Sequence, residues 1–162
     1  MDRNIDKYSD AELMAGYEQA DGRTGADFRA MRERIGWAQQ EAGVAMGVDK
    51  SVVQKWETPQ AGWDVRPYGW AWIDRMHHAF WNEVDDLIDA AVAEIEKRGI
   101  EEGGVVKLSY YRNGGKLKGA ARTRHGEPAG AADAVSRAVG DYLEEQGYTV
   151  RYVWAEDGGW IV

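Results

Sequence analysis

The sequence predicts a mainly helical protein with a small α+β tail, and three observations support this fold class. Apolar residues keep the spacing of a helix through most of residues 25–98. Runs rich in β-branched and aromatic residues follow at 105–111 and 148–155. The 162-residue chain is 44% hydrophobic, with eight Trp and eight Tyr, so most of it is expected to fold. We therefore expect a bundle of short helices, a long helix and a β-α-β-β tail.

Residues 1–24 are predicted to be an N-terminal extension with one short helix. Ser9 can cap a helix that runs to Glu18, because Glu12 stands three residues later, as in a capping box. Residues 21–25 have the composition of a break between helices.

The next helix is predicted to start at Thr24 and to end at Gly36. Its apolar residues Phe28, Met31 and Ile35 stand at offsets of 0, 3 and 7, which places them on one inward face. A glycine after the last of them is a common helix stop.

Two shorter helices are predicted next, over Gln39–Met46 and Lys50–Glu57. Gly47 can take the left-handed conformation that turns the chain between them, and Asp49 can cap the second helix. Val53 and Trp56, three residues apart, would anchor that helix in the core.

A long helical segment is predicted from Tyr68 to Arg98, with Pro67 in its first turn and Gly99 as its stop. The sequence leaves open whether this is one helix or two that bend near residues 77–81. It also leaves open whether a near-heptad stripe on this segment is core or a seam between two subunits. The stripe is Phe80, Val84, Leu87, Ala91 and Ile95.

The tail, residues 99–162, is predicted to be a small α+β domain. A strand at 105–111 is followed by a long loop, a helix from about 131 to 146, a strand at 148–155 and a short terminal strand at 160–162.

A basic loop at 112–130 lies within this tail. Between residues 103 and 126 there are six basic residues and no acid, interleaved with Tyr110 and Tyr111. Flexible basic loops with aromatic residues can bind phosphate and stack on unpaired bases, so RNA binding is one interpretation. A merely solvated loop, or nonspecific attraction to DNA, is the other. The basic residues are Lys107, Arg112, Lys116, Lys118, Arg122 and Arg124.

The segment 36–57 has the spacing of a unit that reads DNA. Two short helices joined by a glycine-containing turn can place the second helix in a major groove, although an ordinary helical hairpin has the same pattern. The segment resembles the Cro/CI-type helix-turn-helix family over 22 residues in unbroken register. The matching residues are Gly36, Gln39, Met46, Gly47, Val48, Val53, Trp56 and Glu57.

The segment also departs from that family at four positions. Trp37 stands where Leu is usual, Ala38 replaces Ser or Thr, and Ala42 and Gly43 stand in place of Leu-Ala. Ala38 removes a helix cap, and Gly43 costs about 1 kcal/mol relative to Ala in a helix interior. We therefore expect packing, rather than local propensity, to hold the first helix of the unit.

The resemblance implies a set of DNA-contacting residues. The base-reading residues would be Lys50, Ser51, Val52 and Gln54, and the backbone contacts would be Gln39 and Lys55. Their chemistry suits these roles, since Lys donates to guanine and Gln pairs with adenine. Residues 25–98 would then be a helix-turn-helix DNA-binding domain with a linker helix.

The charge distribution bears on how an acidic chain would approach DNA. The net charge is −8, but residues 25–57 sum to zero, and the excess acid lies mainly in 58–100 and 129–162. Asp49 and Glu57 are expected near phosphates, where neither adds affinity. Few phosphates would be neutralised per subunit, so we expect binding as a dimer and strong salt dependence.

Other function classes find little support. The chain has no Cys, and its adjacent histidines, His77 and His78, would point about 100° apart on a helix. Asp74 and His78 supply at most two ligands, so neither a metal nor another cofactor is expected. No catalytic constellation is recognisable, so we do not expect an enzyme. Without a signal peptide or a membrane-length apolar run, a cytoplasmic protein with no membrane partner is expected.

The order of elements along the whole chain also resembles the repressors associated with anti-CRISPR operons. That resemblance implies a tail that dimerises and a repressor that controls its own promoter through an inverted repeat. We therefore expect a homodimeric, sequence-specific transcriptional repressor from a bacterium or a mobile element. The alternatives are an antitoxin-like or adaptor module with secondary DNA binding, or a regulator that also binds RNA.

Overall fold

The computed structural model describes residues 22–111 and 126–155, together with Ser9 and Ala11. These residues form a mainly helical fold with a small two-stranded parallel sheet near the C-terminus. Most of the predicted helix from Ser9 to Glu18, most of the basic loop and the strand at 160–162 lie outside the described residues. The elements are α1 Gly25–Arg34, α2 Gln39–Met46, α3 Lys50–Glu57, a 3₁₀ turn Pro59–Ala61, α4 Pro67–Arg98, β1 Val105–Tyr110, α5 Ala129–Glu145 and β2 Thr149–Trp154.

Helix α4 settles the question that the sequence left open, because it is one continuous helix. The chain divides into two compact units, Met1–Ala79 and Phe80–Val162, and the division falls within this helix. All five residues of the near-heptad stripe are buried in the single chain, so they are core.

The first unit is built around aromatic side chains. Phe28 of α1 is completely buried, and its ring centroid lies 5.5 Å from that of Trp56 and 5.8 Å from that of Trp70. Both contacts are edge-to-face, an arrangement that adds about 0.5–1.5 kcal/mol per pair beyond area burial. The ring of Trp37 contacts that of Trp72 in the same way, at 5.4 Å.

The start of α1 follows the prediction. The Thr24 side chain accepts a hydrogen bond from the Ala26 N–H, and the Asp27 carboxylate accepts one from the Thr24 N–H at 2.7 Å. Gly36, with φ of 77°, comes two residues after the helix ends.

The second unit contains the sheet. Strands β1 and β2 are parallel and pair from Val105 with Thr149 to Tyr110 with Trp154. Parallel neighbours need a long crossover connection, and α5 lies within it. At Gly140 of α5, an added Cβ would meet the hydroxyl end of the Tyr152 side chain. The apolar residues buried on these three elements are Val106, Leu108, Ala131, Ala132, Ala134, Val135, Val139, Leu143 and Val150.

Candidate nucleic-acid interface

Helices α2 and α3 meet through a tight turn. Gly47 has φ of 69°, the left-handed conformation that the sequence predicted, and the Val48 N–H donates to the Gly43 carbonyl at 2.9 Å. A Cβ at Gly43 would lie only 2.8 Å from the Val48 carbonyl oxygen. The backbone of the turn therefore passes too close to Gly43 to leave room for a side chain there.

A buried ion pair ties α3 to α1. The Arg32 guanidinium donates to both carboxylate oxygens of Glu57, at 2.6 and 2.7 Å, and its remaining terminal nitrogen donates to the Trp37 carbonyl at 2.7 Å. The exposed fractions of the two side chains are only 7% and 2%. Bidentate pairs of this geometry are the strong form of a charge-assisted hydrogen bond. The pair therefore fixes the end of α3 against the first helix.

Two expectations about acidic residues were wrong. Glu57 does not lie at a phosphate-facing surface, because its carboxylate is buried against Arg32. Asp49 occupies the N-cap position of α3, yet its side chain makes no capping hydrogen bond. In its place, the Val52 N–H donates to the Asp49 backbone carbonyl at 2.9 Å, in a tight first turn.

The exposed face of α3 carries the residues that were predicted to reach bases. Lys50, Ser51 and Gln54 are exposed and Val52 is half-buried. Val53 and Trp56 are buried, as predicted. The helix thus presents polar side chains to solvent over its first two turns.

Gln39, the predicted phosphate contact at the start of α2, is half-buried. Its side-chain amide nitrogen donates to the Glu57 carboxylate at 2.8 Å, so this residue also belongs to the Arg32 network. Ala38 offers no side-chain cap, but its N–H donates to the Glu41 carboxylate at 2.8 Å. A carboxylate therefore already occupies part of the helix terminus where a phosphate would bind.

Lys55, the second predicted backbone contact, is exposed and has an aromatic neighbour. Its Nζ lies 4.3 Å from the ring centroid of Trp63, whose exposed fraction is 47%. Trp63 is not among the residues predicted to contact DNA, because it lies outside the two helices of the predicted unit. A large aromatic residue beside Gly62 was the available signal.

The predicted nucleic-acid residues of the tail belong to the second unit. Lys107 is exposed on β1, while Tyr110 and Tyr111 are half-buried. The Tyr110 hydroxyl accepts a hydrogen bond from Arg137, and the Tyr111 N–H donates to the Asp133 carboxylate at 2.7 Å. The predicted residues Arg112, Lys116, Lys118, Arg122 and Arg124 lie outside the described residues.

Asp74, considered from the sequence as a metal ligand, is paired with an arginine. Both carboxylate oxygens of Asp74 accept hydrogen bonds from Arg23, at 3.2 and 2.9 Å, and the guanidinium lies 4.0 Å above the Trp70 ring. Over residues 22–111 and 126–155, no group of three or more His, Cys, Asp or Glu side chains is arranged to hold a metal ion. In the same ranges, no helix has the length and apolar character to cross a membrane.

Comparison with known proteins found no match to the chain, either among protein-family models or among curated proteins.

Proposed function

We propose that this chain is a sequence-specific DNA-binding repressor that reads an inverted repeat as a homodimer and controls its own promoter. One observation carries the proposal: Lys50, Ser51 and Gln54 are exposed on α3, whereas Val53 and Trp56 on the other side of the same helix are buried. A short helix with this distribution fits a major groove, and its side chains have the donors and acceptors that base edges offer.

The buried network of Arg32 favours such a role because base reading needs a rigid helix. Glu57 receives donors from α1 and α2, which fixes the angle of α3 relative to both. A side chain on a fixed helix loses less freedom on binding than one on a mobile loop. Repression would follow from occupancy, since a dimer bound across a promoter excludes polymerase.

The neutral charge of residues 25–57 limits the affinity of one subunit. Each neutralised phosphate adds to the salt-dependent part of binding, so a subunit with few free cations binds weakly alone. Two subunits on two half-sites double the phosphate contacts and favour a palindromic site.

Selection from random duplexes tests the proposal. The purified full chain should enrich a palindrome whose half-sites lie about one helical turn apart, with affinity that falls steeply with salt. Failure to enrich any duplex at moderate salt would sink the proposal.

Variants of α3 and α2 separate recognition of bases from contact with the phosphate backbone. Lys50→Ala and Gln54→Ala should relax base preference at defined positions, at a cost of about 1–3 kcal/mol for the cognate base. Gln39→Ala should weaken binding to all sequences alike. Val44→Ala is the control, because Val44 is 69% exposed on α2 and belongs to none of the predicted contacts.

A second candidate function, a protein-interaction module, is favoured by exposed aromatic residues of the second unit. Tyr152 and Trp154 are 44% and 43% exposed, and aromatic residues are enriched in protein interfaces. Copurification of a second chain that is lost with Trp154→Ala, without loss of DNA binding, would favour this candidate.

A further inference from the structure

Trp63 is an exposed aromatic residue that the predicted DNA contacts do not include. It follows Gly62, whose φ of 64° ends the 3₁₀ turn Pro59–Ala61, and its ring lies against Lys55 of α3. We propose that Trp63 is a positioning residue that holds the Lys55 ammonium for a DNA phosphate. This inference rests on the proposed function.

Helix geometry places Lys55 beside the predicted base-reading row. Ser51 and Lys55 are four residues apart, so they share one face of α3. The apolar anchors of the helix, Val53 and Trp56, are buried on the opposite side. A helix that enters a groove by its first turn brings its last turn toward the flanking sugar-phosphate backbone.

The indole ring of Trp63 is suited to position Lys55 because it does not neutralise the ammonium charge that a phosphate would bind. A carboxylate partner would neutralise Lys55, whereas the face of an aromatic ring attracts an ammonium group and leaves its net charge in place. Lys55 is exposed, and a ring face contacts an ammonium group from one side only. Holding the long side chain before binding reduces the rotamer entropy that binding would otherwise remove.

A double-mutant cycle tests this role on the selected palindrome at several salt concentrations. Trp63→Ala and Trp63→Leu should each weaken binding about two- to fivefold, since an exposed cation–π contact is modest. Trp63→Phe should retain most of the affinity. Lys55→Gln should lower the salt slope by about one per subunit. In the Lys55→Gln background, removing the Trp63 ring should then have no further effect.

Trp63→Leu keeps the apolar bulk of the ring without its charge-attracting face, so it separates positioning from packing. Trp81→Ala is the matched control, because Trp81 is 43% exposed in the second unit and should leave affinity unchanged. Thermal unfolding of each variant identifies any loss of folded protein.

The outcomes separate the two proposals. If the wild-type chain selects no duplex, the proposed function and this inference both fail. If it binds but Trp63→Leu is as tight as wild type, only the inference fails. The same holds if loss of the ring weakens binding equally with and without Lys55, because Trp63 would then act independently of that residue.

Discussion

Glu57 in the first unit and Asp133 in the second are both buried carboxylates, but their hydrogen-bond partners differ. Glu57 accepts three hydrogen bonds from side chains, two from Arg32 and one from Gln39. Asp133 is 1% exposed, and one of its oxygens accepts a hydrogen bond from the Tyr111 N–H. Its other oxygen, Oδ2, has no hydrogen-bond partner in the described part of the chain.

The difference shows how burial acts on a carboxylate that accepts several hydrogen bonds and on one that accepts few. A buried charge is tolerated when donors replace its lost hydration. Where they are few, burial favours the neutral form, and burial indeed raises the pKa of Asp133 above its ordinary value of 3.8. The first unit therefore surrounds its buried carboxylate with side-chain donors, whereas the buried carboxylate of the second unit has fewer donors and a raised pKa.

The largest expected effect comes from breaking the Arg32–Glu57 pair. Glu57→Ala should lower the free energy of unfolding of the first unit by about 3–5 kcal/mol, because Arg32 is left buried without its partner. Hydrogen exchange of amides in α3 measures this unit separately from the second. The double variant Arg32→Met with Glu57→Leu should lose less than Glu57→Ala alone.

Arg29→Gln is the control for this prediction. It removes an exposed pair with Glu33, which contributes little to stability because solvent screens it. If Glu57→Ala cost no more than this control, the buried pair would not be what fixes α3.

An intermediate effect on the free energy of unfolding is expected from substitutions at Asp133. Asp133→Ala leaves the Tyr111 N–H without its acceptor and should cost about 1–3 kcal/mol, measured by hydrogen exchange in β1. Asp133→Asn keeps an acceptor oxygen and removes the charge, so it should cost less. A loss for Asn as large as that for Ala would contradict the role given to the acceptor oxygen.

The pH dependence of stability should distinguish Asp133 further. Because the folded pKa is raised, its contribution to stability is fully present below 3.8 and is lost as the pH rises through the folded pKa. Between pH 4 and 7, the unfolding free energy of the wild-type chain should therefore fall relative to that of Asp133→Asn. A difference that does not change over this range would contradict the assignment.

The smallest effect on the free energy of unfolding is expected from a substitution at His77, a half-buried residue in the first unit. Burial, followed by the positive charge of Arg34, lowers its pKa below the ordinary 6.5, although Asp74 opposes the shift. Its contribution to stability is thus present above pH 6.5 and is lost as the pH falls through the lower folded pKa. His77→Gln should flatten the stability profile between pH 7 and 5, measured by urea unfolding. An unchanged profile would show that His77 has no part in it.

Much of the fold could be predicted from local signals. The boundaries of α2 and α3 match the prediction residue for residue, because Gly47 and the spacing of Val53 and Trp56 act within one or two turns. The helix predicted from about 131 to 146 spans Ala129–Glu145. The outward positions of Lys50, Ser51 and Gln54 follow from the same periodicity.

The partners of polar groups were harder to predict. Arg32 and Glu57 are 25 residues apart, and Gln39 and Glu57 are 18 apart, so no local pattern marks their contact. For this reason the sequence assigned Glu57 to the surface. The contact between Lys55 and Trp63 was missed because it depends on how the loop folds back after α3.

The sequence by itself determined the helical first unit, the glycine turn between α2 and α3, and a strand on either side of the last helix. These features depend on capping, backbone conformation and periodicity, which are properties of neighbouring residues. Only the tertiary structure decided that α4 is continuous, that the two strands run parallel, and which carboxylate is paired. Those outcomes depend on contacts between distant segments, whose energies come from burial and from the donors that burial brings together.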